Sequence, residues 1–209
     1  MKIDYTTVNP LDLSLDFDNP RFLKKLSDEA EMRLYLIEYE DSLSVADTLH
    51  KQGLIPGDMV VCVIEDGKTV VIEGNRRVSI MQMLLDRNLI PEKYVKEVPK
   101  VPDKILDEIK ALNVQIIESR DLALSVMSNR HITGIKQWKP LAKKKFFASR
   151  FDAGMSIEQL ALTTNIAKGE IMRDITDYKF FIRNYDKYKG DNPTFDKDII
   201  DLGIDRFIR

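Results

Sequence analysis

The residues best suited to chemistry are Gly74, Asn75, Arg76 and Arg77. They follow an apolar, β-branched run, Val70-Val71-Ile72-Glu73, and open an amphipathic helical pattern through Val78, Met81, Leu84 and Leu85. A strand that feeds a glycine and then a helix N-terminus is a ready place for a phosphate. The N–H groups of the first helical turn point at the ligand, the glycine lets the backbone come close, and arginines supply forked, permanently charged donors. The same residues also fit a surface helix that happens to start with Arg-Arg. The tetrapeptide alone does not choose between the two.

A second chemistry-bearing stretch is basic. From Arg130 to Arg150 there are seven Lys or Arg residues (Arg130, Lys136, Lys139, Lys143, Lys144, Lys145, Arg150) and no acidic one. The chain as a whole has a net charge of −2, but the charge is divided. Residues 1–129 carry 16 basic against 23 acidic side chains, and residues 130–209 carry 16 against 11. That polarity points to an acidic half and a half that meets nucleic acid, with a solvated basic helix face as the plain alternative.

Behind the basic stretch, Ser156 and Gln159 form a capping box before a short helix through Leu160 and Ala161. A turn at Thr164-Asn165 leads to a second helix, Ala167–Ile175, with Ile171 and Ile175 inside. This is the spacing of a helix-turn-helix, whose second helix can lie in the DNA major groove. Lys168, Glu170 and Arg173 are then its exposed polar residues, and Lys143, Lys144 and Lys145 its phosphate contacts. A simple helical bundle fits the pattern less well, because the unit follows a basic helix.

The elements that must position these residues follow from periodicity. A possible strand opens the chain, and Asn19-Pro20 is a turn that fixes the backbone before Arg21. Helices are expected over residues 27–39 and 42–51, the second ending at Gly53. Strands over 59–64 and 69–72 flank Asp66-Gly67, a hairpin signal. A helix over 76–87 follows, then a short helix near 103–112, a strand at 114–117 and a helix over 120–131. The C-terminal part reads as a helix from Pro140 to Phe151, the helix-turn-helix, an aromatic helix from Tyr178 to Gly190, and a last helix running from about Phe195 into Arg209. A chain that stops inside a helical pattern suggests a piece of a longer protein, or a helix completed in a dimer.

Composition narrows the classes further. Hydrophobic residues make up 44% and charged residues 32%, as in an ordinary water-soluble protein. The single cysteine, Cys62, excludes an intramolecular disulfide and fits a reducing compartment. It lies in the apolar run Met59-Val60-Val61-Cys62-Val63-Ile64 and reads as a core residue. Two histidines and one cysteine do not readily build a structural zinc site. No apolar run approaches membrane-spanning length, so no membrane partner is expected and the location expected is the cytoplasm, or the nucleoid of a bacterium.

The order of these parts resembles the ParB chromosome-partitioning family over roughly residues 10–181: Asn19-Pro20-Arg21, a hairpin into Gly74-Asn75-Arg76-Arg77, a helix ending in Ser128-Asn129-Arg130-His131, a long helix and a helix-turn-helix. The resemblance implies an α+β fold, with a small mixed sheet and helices of the ParB/sulfiredoxin type over residues 1–134. An all-α helix-turn-helix domain then follows over 135–209. It implies a nucleoside triphosphate, CTP, held by Gly74, Asn75, Arg76 and Arg77, with Arg21, Asn129, Arg130 and His131 assisting. DNA and a second copy in a homodimer are the implied partners. The family's third box reads Glu-Asn-x-x-Arg and helps to hold magnesium. Here Ser128, Asn129 and Ile132 occupy those places, so only Asn129 remains as a weak metal ligand. Nucleotide binding is therefore expected with hydrolysis absent or slow, a weak CTPase or NTPase at most. Sulfiredoxin-type chemistry is disfavoured, because Cys62 is on the preceding strand and not beside Gly74. The alternative on the same fold is a small-molecule kinase or NTPase, with Glu73 as a candidate base.

Overall fold

The computed structural model describes residues 3–23, 25–55, 57, 59–123 and 138–207. The chain divides into two compact units. One holds Met1–Asn19 and Lys25–Leu124, and the other holds Pro20–Lys24 and Ser125–Arg209.

The first unit is α+β. Its strands are β1 (Ile3–Val8), β2 (Leu13–Leu15), β3 (Val60–Glu65), β4 (Lys68–Glu73) and β5 (Leu112–Ile117). They form one sheet in the order β1-β5-β3-β4-β2. Pairs β1–β5 and β3–β4 are antiparallel, and β3–β5 and β2–β4 are parallel, so the sheet is mixed. The hairpin β3–β4 turns through Asp66 (φ 49°) and Gly67 (φ 75°), two successive positive φ values that make the tight turn matching strand twist. Beside the turn at the far end of β4 the ladder shifts register, pairing Val61 with Glu73 but Cys62 with Val71. Ile72 has no opposite number on β3, the pattern of a bulge, which twists the strand just before Gly74.

Among the described residues the helices that accompany the sheet include α1 (Glu29–Glu40), α2 (Ser42–Gln52), α3 (Asn75–Leu85) and α4 (Asp103–Lys110). The side chain of Asp28 caps α1 by accepting from Glu31 N–H, and α2 ends where the Gly53 N–H (φ 72°) returns to Leu49 O. Helix α3 is central. Val78, Ile80, Met81, Met83 and Leu84 are all buried, and α3 packs against α1, α2, α4 and the sheet. The core beneath it is the fully buried run Val60–Val63 with Val71, Ile72, Val114 and Ile117. Cys62 is part of that run, and burial pushes its thiol up to about 12, so it is an inert core residue.

The second unit is helical: α5 (Pro140–Asp152), α6 (Ile157–Thr164), α7 (Lys168–Arg183), α8 (Tyr185–Lys189) and α9 (Phe195–Leu202). Two boundaries differ from the sequence expectation. The second helix of the helix-turn-helix continues into the first part of the aromatic helix as one element, α7, because Asp177-Tyr178 contains no residue that stops a helix, and the rest of the aromatic helix is the separate α8 beyond Asn184. The last helix stops at Leu202, where Gly203 (φ 80°) returns its N–H to Ile199 O. Phe181, Tyr185, Tyr188, Phe195 and Phe207 form one aromatic cluster with ring centroids 5.2 to 6.2 Å apart. These rings of the aromatic helix therefore pack a core, while Phe180 on the same helix is exposed.

The segment Pro20–Lys24 was expected with the first domain. It belongs to the helical unit because Phe22 and Leu23 are 1% and 5% exposed and Lys145 Nζ donates to Phe22 O at 2.5 Å. Among the described residues no helix is long and apolar enough to cross a membrane.

Candidate functional site

The bulged strand β4 delivers the chain to Gly74 with φ 106° and ψ 13°, a left-handed conformation that disfavours any side chain. A Cβ there would also lie 3.0 Å from Val60 Cγ2 and 3.3 Å from Arg77 Nη2. Gly74 is the N-cap of α3 and contributes no capping oxygen, and the first turn of α3 contains no acidic residue. It contains Arg76 and Arg77 instead. Two cations at the positive end of a helix dipole are unfavourable by themselves, and an anion at that end would relieve both the dipole and the uncapped N–H groups.

Each arginine is oriented by neighbouring groups. Arg76 Nη2 donates to Asp41 O at 2.6 Å and to Ser44 Oγ at 3.4 Å, which ties the start of α3 to the junction of α1 and α2. Arg77 Nη2 donates to Met59 O at 3.2 Å and lies 3.7 Å from Glu73 Oε1. Glu73, the candidate base of the kinase alternative, is thus beside a guanidinium.

Asn75 is placed differently from its sequence assignment as a phosphate ligand. It is 3% exposed. Its Oδ1 accepts from Asp16 N–H at 2.9 Å, and its Nδ2 donates to Val71 O at 2.7 Å and Ile72 O at 3.5 Å. The carboxamide therefore spends its bonds locking β2 and the β4 bulge to the first turn of α3. What Asn75 has to offer a ligand is its backbone.

Three residues that no local pattern marks stand behind this turn. Asp16, at the end of β2, is 1% exposed. Arg120 Nη1 donates to Asp16 Oδ1 at 2.8 Å, while its Nε and Nη2 grip Glu65 at 2.8 and 2.6 Å. Burial raises the Asp16 carboxyl above the usual range, with Arg120 pulling the other way, whereas the bonds from Arg120 hold Glu65 below it. Arg120 is 104 residues from Asp16 and 55 from Glu65, so sequence spacing carries no signal for the cluster.

Of the remaining expected nucleotide contacts, Arg21 sits in the Pro20–Lys24 segment of the helical unit. Asn129, Arg130 and His131, with Ser128 and Ile132, lie outside the described residues, as does the proposed metal role of Asn129. Among the described residues no group of three or more His, Cys, Asp and Glu is placed to hold a metal.

In the helical unit the capping box forms as the sequence predicts: Ser156 Oγ accepts from Gln159 N–H and Gln159 Oε1 accepts from Ser156 N–H. Asn165 (φ 56°) makes the turn into α7. The basic residues of α5, however, are engaged inside the unit and do not form an outward phosphate-binding row. Lys143 pairs with Glu170 and lies 3.5 Å from Asp174. Lys144 is 7% exposed and bonds Asp174 at 3.0 Å and Asp177 at 2.8 Å, with Asp205 at 3.4 Å. Lys145 donates to the Phe22 carbonyl. The physical reason is that α5 packs along α7, whose acidic residues fall opposite the lysines. On the outer side, Lys168 pairs with Glu158 at 2.9 Å, and Arg173 and Met172 are exposed. Compared with known proteins, the chain matches no family model and no curated protein.

Proposed function

We propose that this chain is a nucleotide-responsive DNA-binding protein of the ParB-like type. The observation that carries the reading is the start of α3: a left-handed glycine, no side-chain cap, no acid and two arginines in the first turn. That arrangement suits the negative charge of a nucleoside triphosphate. In this reading the backbone of residues 74–77 faces the phosphates, Arg76 and Arg77 neutralise them, and Asn75 holds the turn in shape. CTP is the triphosphate that the family resemblance favours.

Support for the DNA half is the α6–turn–α7 pair, with its capping box, its Asn165 turn and an exposed Arg173 on the second helix. Arg173 and Lys168 are the residues assigned to DNA, and Lys143 and Lys144 of α5 are assigned to holding α7 in place. Homodimerisation belongs to the same reading.

The test is calorimetry of the full chain with CTP, ATP and GTP, each with and without Mg²⁺, followed by a gel shift with duplex DNA at low and high salt. A saturable triphosphate isotherm that Arg77→Ala abolishes, and a DNA complex that weakens steeply with salt and with Arg173→Ala, are the expected results. No isotherm with any of the three nucleotides refutes the nucleotide half. No complex at low salt refutes the DNA half.

A further inference from the structure

We propose that Arg120 is a positioning residue for the turn at residues 73–77, acting through Asp16 and Asn75. The inference rests on the phosphate-cradle reading of that turn. A continuous series of bonds connects them. Glu65, at the end of β3, anchors the Arg120 fork through two parallel bonds at 2.8 and 2.6 Å. The remaining arm of the fork reaches Asp16 Oδ1 at 2.8 Å. The Asp16 N–H then donates to Asn75 Oδ1 at 2.9 Å, and Asn75 Nδ2 closes on Val71 O at 2.7 Å. Asn75 is the first residue of α3, so its placement sets the direction of the N–H groups of that turn.

The chemistry makes the series directional. A carboxylate that is 1% exposed is tolerated when it is paired, and Arg120 supplies the pairing charge. Asp16 Oδ1 also accepts from Asp18 N–H at 3.1 Å, while Oδ2 is buried and has no hydrogen-bond partner. Without the guanidinium, Asp16 must turn toward water or take up a proton. Either change shifts the backbone N–H that fixes Asn75. Arg120 makes no bond to Gly74, Arg76 or Arg77 in this arrangement, so its effect on a ligand is indirect and depends on Asp16.

The experiment compares the native 209-residue chain with Arg120→Gln and Arg120→Lys, by calorimetry with CTP and by NMR hydrogen exchange of the Asn75 side-chain amide and the α3 first-turn amides. The expected result is faster exchange at Asn75 in Arg120→Gln and CTP binding weakened about tenfold, the scale on which outer-shell partners act. Arg120→Lys, which keeps the charge and one donor, recovers part of the affinity; a purely structural contribution would not follow the charge. If Arg120→Gln does not fold, Glu65→Gln takes its place, since Glu65 is about a third exposed and its loss loosens the Arg120 fork it anchors while the charge stays near Asp16. There a several-fold loss is expected. A native chain that binds CTP while the variant binds it equally well overturns this inference and leaves the cradle reading standing. A native chain that binds no CTP overturns both.

Discussion

Replacing Lys144 by methionine separates two roles that the sequence runs together. A lysine that meets DNA phosphates can be removed at little cost in stability, with the loss appearing in salt-dependent affinity. A buried lysine that neutralises carboxylates cannot. Lys144 and Asp174 are each 7% exposed, and the ammonium bonds Asp174 at 3.0 Å and Asp177 at 2.8 Å. Methionine keeps most of the apolar stem, so the change removes mainly the charge. Breaking a buried pair by deleting one partner typically costs about 3–5 kcal/mol, because the other charge is left stranded. Here Lys143 remains 3.5 Å from Asp174, and the Asp177 side chain is a fifth exposed. Both reduce the penalty, so a loss of about 2–3 kcal/mol is expected. Urea unfolding of the full chain, followed by far-ultraviolet circular dichroism, reads it as a fall in midpoint at unchanged slope for the transition of the helical unit. Adding Asp174→Leu removes the stranded charge and should restore part of the loss. A single-variant loss below about 0.5 kcal/mol, the range of exposed pairs, would refute the reasoning.

Three further outcomes test the rest. Asn75→Ala leaves the Asp16 N–H and the Val71 carbonyl without their partner and should cost about 2–3 kcal/mol of unfolding free energy in the first unit, measured by the same titration. Gly74→Ala places a side chain at φ 106° against Val60 and Arg77 and should cost at least about 1–2 kcal/mol, while weakening any triphosphate binding because Arg77 is displaced. The third concerns pH. Burial works against the charged form of Lys144, but its bonds to Asp177 and Asp174 outweigh burial and hold its pKa above the ordinary 10.5. A folded-state value raised above the unfolded one means that its stabilisation is complete below 10.5 and is lost as pH rises through the folded value. Unfolding measured from about pH 9 to 12 should therefore show an alkaline loss in the native chain that is smaller in Lys144→Met.

The turn at Gly74 and the lysines of α5 place the same residue types in different surroundings. Arg76 and Arg77 touch backbone carbonyls, a hydroxyl and the Glu73 carboxylate, at a helix end that adds to their positive field. Lys143 and Lys144 face carboxylates of α7 that cancel theirs.

The sequence by itself determined the elements whose signals are local. Asp66-Gly67 between β-branched runs specifies the β3–β4 hairpin, because two successive positive φ values suit those residues and few others. Ser156 and Gln159 specify the start of α6, since both bonds of the capping box lie within four residues. Gly74 followed by Arg-Arg marks the candidate site for the same reason: a left-handed turn and a helix start are decided within five residues. Tertiary structure alone decided what lies beyond that range. It added β2, three residues long and held by parallel pairing to β4, too short to show an alternation. It engaged the Asn75 carboxamide by bringing Asp16 against it across 59 residues. It drew Lys144 inward, because its counter-charges at Asp174 and Asp177 are 30 and 33 residues away on α7. And it placed Arg120 between Asp16 and Glu65, a pairing set by the order of strands in the sheet, which residue spacing does not encode.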